Sequence, residues 1–73
     1  MVKALILIML EPKTFENANK IIRIPGVKSG FLVFGHYDYA AFVDVPNLEK
    51  VGQISDKIQR LRFVRYVETL IER

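Results

Sequence analysis

Seventy-three residues make one domain, and a chain this short buries only about 60% of the surface its unfolded form exposes, which leaves a lone monomer marginal. The absence of cysteine excludes disulfides, thiolate metal sites, Fe–S clusters and cysteine nucleophiles, and a single histidine, His36, leaves a structural zinc short of ligands. An apolar fraction of 51% excludes disorder, while a net charge of +3 and a pI near 9.5 keep nucleic acid among the partners to be weighed. Oligomerisation is the remaining way to stabilise so small a core.

Val2 to Leu10 (VKALILIML) reads as a strand that is apolar on both faces. Val2, Ala4, Ile6, Ile8 and Leu10 line one side and Leu5, Leu7 and Met9 the other, the pattern of a central strand covered on both faces. The run is too short to span a bilayer. Glu11-Pro12-Lys13 follows it where a signal peptide would have small residues, so the chain is expected to be cytoplasmic, complete from Met1 and without a membrane partner.

Thr14 reads as the N-cap of a helix through Ile24, with Phe15, Ala18, Ile22 and Ile21 turned to the core and Pro25-Gly26 ending it. Val27 to Phe34 and Tyr39 to Val45 have strand composition, with the turn Gly35-His36-Tyr37-Asp38 between them. Pro46-Asn47 opens a second helix, capped by Asn47. Its apolar residues Leu48, Val51, Ile54, Ile58 and Leu61 keep helical spacing, and Gly52 weakens it by roughly 1 kcal/mol relative to alanine. A last strand runs from about Val64 to Ile71.

The order βαββαβ predicts an α+β, ferredoxin-like fold: a four-stranded antiparallel sheet with two helices on one face. Its other face carries large apolar groups and calls for a cover. A second copy of the sheet, related by a two-fold axis, is the simplest one, so the chain is expected to dimerise through that face.

Several segments carry a resemblance. Ile24-Pro25-Gly26-Val27 before the second strand and Val33-Phe34-Gly35-His36-Tyr37-Asp38-Tyr39 across the hairpin resemble the Lrp/AsnC ligand-binding domain, also called the RAM domain, which carries a Gly-x-Tyr-Asp turn at this place. The resemblance covers essentially the whole chain. It implies sheet-to-sheet homodimers that assemble further, commonly into octamers, and amino-acid effectors bound near Gly35, His36, Tyr37 and Asp38 where dimers meet. Thr69 matches the threonine that the family tends to have in its last strand. Met1 leads straight into the first strand, with no helix-turn-helix domain ahead of it. The chain thus resembles the stand-alone form of the domain, which implies no direct DNA binding and a role through ligand binding or mixed assembly with a full-length Lrp/AsnC regulator.

The residues of the turn fit such a site chemically. Gly35 permits positive φ or close approach, Asp38 can pair with an α-ammonium group, and turn N–H groups with a protonated His36 can receive a carboxylate; Tyr37 adds a flat face and a hydroxyl. The plain alternative is a tight hairpin with solvated side chains. His36 and Asp38 are too few for a metal, so neither metal nor cofactor is expected. With only Ser29 and Ser55 as serine hydroxyls and one histidine, the chain is not expected to be an enzyme; Glu68 and Glu72 read as solvation of an edge strand. The rival readings are a small RNA- or DNA-binding domain, from Lys28–Phe34 and the basic Lys57, Arg60, Arg62 and Arg65, and an assembly module with no ligand.

Overall fold

In the computed structural model, which describes residues 1–73, the chain runs β1 (Val2–Leu10), a 3-10 segment (Phe15–Ala18), α1 (Asn19–Ile22), β2 (Val27–Leu32), β3 (Tyr39–Val45), α2 (Leu48–Gln59) and β4 (Val64–Ile71). The strands form one antiparallel sheet in the order β2-β3-β1-β4. β1 is therefore central, as its two-sided apolar sequence requires, and both helices lie on one face. The βαββαβ order and the bounds of β1, β3 and β4 follow the sequence pattern.

The core sits between the sheet and the helices. From β1 it takes Ala4, Ile6, Ile8 and Leu10, and from β3 Tyr39, Ala41, Val43 and Val45. α2 contributes Val51, Ile54 and Ile58. Its N-terminus is capped as expected: Asn47 is extended and its Oδ1 accepts from the Lys50 N–H at 2.9 Å. Leu48, first of the apolar residues at helical spacing, is 59% exposed, because as the first helical residue it precedes the turn that packs on the sheet.

The first crossover departs from the expected helix. Thr14 does not cap; its hydroxyl donates to the Glu11 carbonyl. The buried residues there are Ala18, Ile21 and Ile24, three apart, carried by the 3-10 segment, the single turn of α1 and the turn after it. Backbone bonds follow suit: Asn17 N–H to Thr14 O, Ile24 N–H to Ile21 O and Val27 N–H to Ile24 O all span three residues. Phe15, at the open start of the segment, and Ile22 are both exposed, against the expectation that they face the core; of the neighbours Ile21 and Ile22 only Ile21 is fully buried.

β2 also ends earlier than predicted, at Leu32 in place of Phe34. One further ladder bond joins Val33 N–H to Asp38 O at 3.0 Å, after which Phe34 leaves the sheet fully exposed. Gly30 within β2 is a steric requirement. A Cβ there would stand 2.2 Å from the Tyr39 hydroxyl oxygen, because the Tyr39 ring lies over this strand.

The second face of the sheet has no helix on it. Leu5, Leu7, Met9 and Phe42 are half-buried there, and Phe31, Tyr66 and Leu70 are exposed.

Candidate functional site

The hairpin between β2 and β3 spans residues 33–38 and is held from β1. Asp38 donates its N–H to the Ile8 carbonyl at 2.9 Å and accepts the Leu10 N–H on Oδ2 at 2.8 Å. A register shift between Met9 and Leu10 in the β1–β4 pairing lies beside this anchor. Asp38 thus stands in a fixed position before any ligand arrives. Its carboxylate retains further acceptor capacity, since an ionised carboxylate can take several donors.

Gly35 has φ +128° and open space where a Cβ would be, so the glycine is required by the backbone and not by crowding. His36 is exposed and makes no hydrogen bond. Tyr37 folds across β1 toward β4: its ring stacks on Tyr66 with centroids 6.4 Å apart, and its hydroxyl donates to Glu68 Oε1. That hydrogen bond, reinforced by the carboxylate charge, pushes the Tyr37 phenol up to about 12.

The turn therefore has two sides. On the uncovered face of the sheet stand Tyr37, Tyr66 and Glu68. On the helix side a cleft of about 240 Å³ is lined by Phe15, Leu32, Val33, Phe34 and Asp38. Phe15 is 51% exposed and Leu32 59%, so the walls are large apolar groups in solvent.

Gly35, His36, Tyr37 and Asp38 come together as one turn, and Thr69 does not join them. It pairs with Ile6 on the helix-covered face, where its hydroxyl lies 2.8 Å from that of Ser55. Sequence reasoning missed Glu68 and Phe15. The alternation of β4 does put Glu68 on one face with Tyr66 and Leu70, which was the available signal. For Phe15 the sequence held no such signal. The basic run at the end of α2 is partly internal, with Arg60 bonded to Asp56 at 2.9 Å.

Residues 3–72 match the Lrp/AsnC ligand binding domain model. The chain belongs to this family. Among solved structures it is similar to FFRP-DM1, at 29% identity with all of both chains covered and a TM-score of 0.90. TTHA0845 from Thermus thermophilus is 27% identical, with 100% of this chain and 94% of that one covered and a TM-score of 0.93. The transcriptional regulator NMB0573 from Neisseria meningitidis, solved in complex with L-Met, shares the fold at 16% identity and a TM-score of 0.84; the match covers 99% of this chain and 49% of that one. No curated protein sequence matches the chain. Within the matched span, Gly35-His36-Tyr37-Asp38 lies in the hairpin that Asp38 ties to β1.

Proposed function

We propose that the chain is a non-enzymatic effector-binding and assembly module that takes an amino acid or a closely related metabolite at the β2–β3 hairpin. The observation that carries this reading is the apolar cleft that Asp38, anchored to β1 through its carboxylate, lines together with Phe15, Leu32, Val33 and Phe34. A cleft of about 240 Å³ lies below the roughly 300–1,000 Å³ of drug-sized sites, a scale suited to a single amino acid. It offers an ammonium acceptor and apolar walls for a side chain. Membership of a ligand-binding family and the L-Met complex of a distant fold neighbour support it.

Assembly follows from the uncovered sheet face. Leu5, Leu7, Met9, Phe31, Phe42 and Leu70 form an apolar surface that a second sheet of the same kind would cover in a homodimer, and dimers joined at their hairpins would build an octamer. The exposed walls of the cleft would then be closed by a neighbouring subunit. The module would act in the cytoplasm in transcriptional or metabolic regulation through its effector, or by joining a full-length Lrp/AsnC regulator.

A thermal-shift panel over the amino acids tests the reading. One or more amino acids are expected to raise the melting temperature, with binding weakened roughly tenfold or more in Asp38→Asn. Asparagine retains a side-chain oxygen for the Leu10 N–H, so the fold is kept while the charge is lost. A complete panel without any shift would leave an assembly module with no ligand.

A further inference from the structure

The largest concavity of the molecule, about 380 Å³, is remote from the hairpin, between α2 and the turn that leads into β2. Pro25, Pro46 and Ile54 line it together with Lys50, Gln53 and Lys57. No acidic residue lines it. The two lysines are seven residues apart, which stacks them on one face of α2 about 10 Å from each other, with Gln53 between.

Lys50 is out of place by local rules. It occupies the third position of α2 after the Asn47 cap, where a glutamate would complete a capping box and favour the helix dipole, and a cation is disfavoured. Nor does a partner compensate it. Three and four residues on stand Gln53 and Ile54, so no i,i+3 or i,i+4 carboxylate is within reach, and its side chain forms no ion pair or hydrogen bond. The same holds for Lys57, with Gln53 and Ile54 behind it and Arg60 and Leu61 ahead. Arg60, by contrast, has its Asp56. A residue set against the helix that carries it, with nothing inside the fold to offset this, points to a role outside the fold.

We infer that this groove is a second binding site, for a small organic anion whose charged head sits between Lys50 and Lys57 and whose apolar body lies on Pro25, Pro46 and Ile54. Exposed ammonium groups alone hold an anion weakly, so the apolar lining must contribute and a bare inorganic ion should not suffice. Phosphate and carboxylate heads share this chemistry. Gln53 adds an amide that can donate to and accept from the body of the ligand.

Amide NMR titrations of the intact chain with adenosine monophosphate, hexanoate and inorganic phosphate test the site. Adenosine monophosphate or hexanoate is expected to shift Gly26, Lys50, Gln53 and Lys57 and to leave Lys13 and Lys20 in place; the tighter of the two identifies the head group. Inorganic phosphate should bind roughly tenfold more weakly or worse. Lys50→Glu is the decisive variant. It should raise the melting temperature by completing the capping box, yet weaken binding at least about tenfold, so loss of fold cannot explain the loss of ligand. Lys57→Ala should weaken binding and leave stability nearly unchanged. Shifts spread evenly over all lysines, phosphate binding as well as the organic anions, or undiminished binding to Lys50→Glu would each overturn the inference. The hairpin reading is unaffected by that outcome, because Asp38 and Phe15 lie outside the groove.

Discussion

The two faces of the sheet are written in the same alphabet and end differently. On the helix side, Ile6, Ile8 and Val43 have no exposed surface, and apart from Leu10 and Tyr39 the buried strand residues are alanine or β-branched. On the other side, Leu5, Leu7, Met9 and Phe42 are half-buried while Phe31, Tyr66 and Leu70 are exposed, although the strands alternate apolar residues just as regularly there. Hydrophobic patterning thus says that a face wants burial. It does not say what buries it. The helices supply one cover from within the chain, and the larger, more flexible and aromatic residues of the other face suit an interface between chains.

The sharpest test of that contrast uses adjacent residues of β1. Ile8→Ala, on the covered face, should destabilise the fold by about 2–5 kcal/mol in urea unfolding at any protein concentration. Leu7→Ala, one residue away and facing outward, should cost far less in dilute solution and act by lowering the particle mass in light scattering. Equal, concentration-independent losses would erase the distinction between the faces.

Asp38 stands at the seam between them. Asp38→Ala removes the charged acceptor of the Leu10 N–H and should cost about 1.5–3 kcal/mol, with Asp38→Asn recovering part of it. Measuring the two variants separates the structural role of the carboxylate from its proposed role toward an effector. Gly30→Ala challenges the covered face from the sheet's edge. The added Cβ must displace the Tyr39 ring, at a cost of roughly 1–3 kcal/mol by thermal denaturation.

The smallest effect is a titration on the open face. The Tyr37 phenol is raised because its hydroxyl donates to Glu68, so phenolate absorbance should place one tyrosine near about 12, and Glu68→Gln should bring it back toward 10.0. The sign is that of a group whose protonated form the fold favours. Its contribution is complete below the ordinary tyrosine value and is lost as pH rises through about 12. An unchanged titration in Glu68→Gln would detach Tyr37 from β4.

Much of the fold is legible in the sequence because it rests on short-range rules. Two-sided apolar alternation fixes β1 as a central strand, Asn47 with the 51-54-58 spacing fixes α2, and Gly35 marks the hairpin that its backbone requires. The first crossover misleads because it is a 3-10 segment joined to a single α-helical turn and not one continuous helix. A pattern read with an α-helical period assigns Phe15 and Ile22 inward, whereas the path the chain takes from β1 to the edge strand β2 leaves both exposed.

At the candidate site the division is deeper. The amino-acid sequence by itself placed glycine, histidine, tyrosine and aspartate in one turn, since their nearness is a matter of chain connectivity. Which groups from elsewhere meet that turn was decided by the tertiary structure alone. Strand order carries Tyr37 over β1 to Glu68 on β4, the opposite face of the same strand takes Thr69 away to Ser55, and the 3-10 turn delivers Phe15 to the cleft beside Asp38. In a strand the side chain period is two, so neighbouring residues such as Glu68 and Thr69 belong to opposite sides of the molecule.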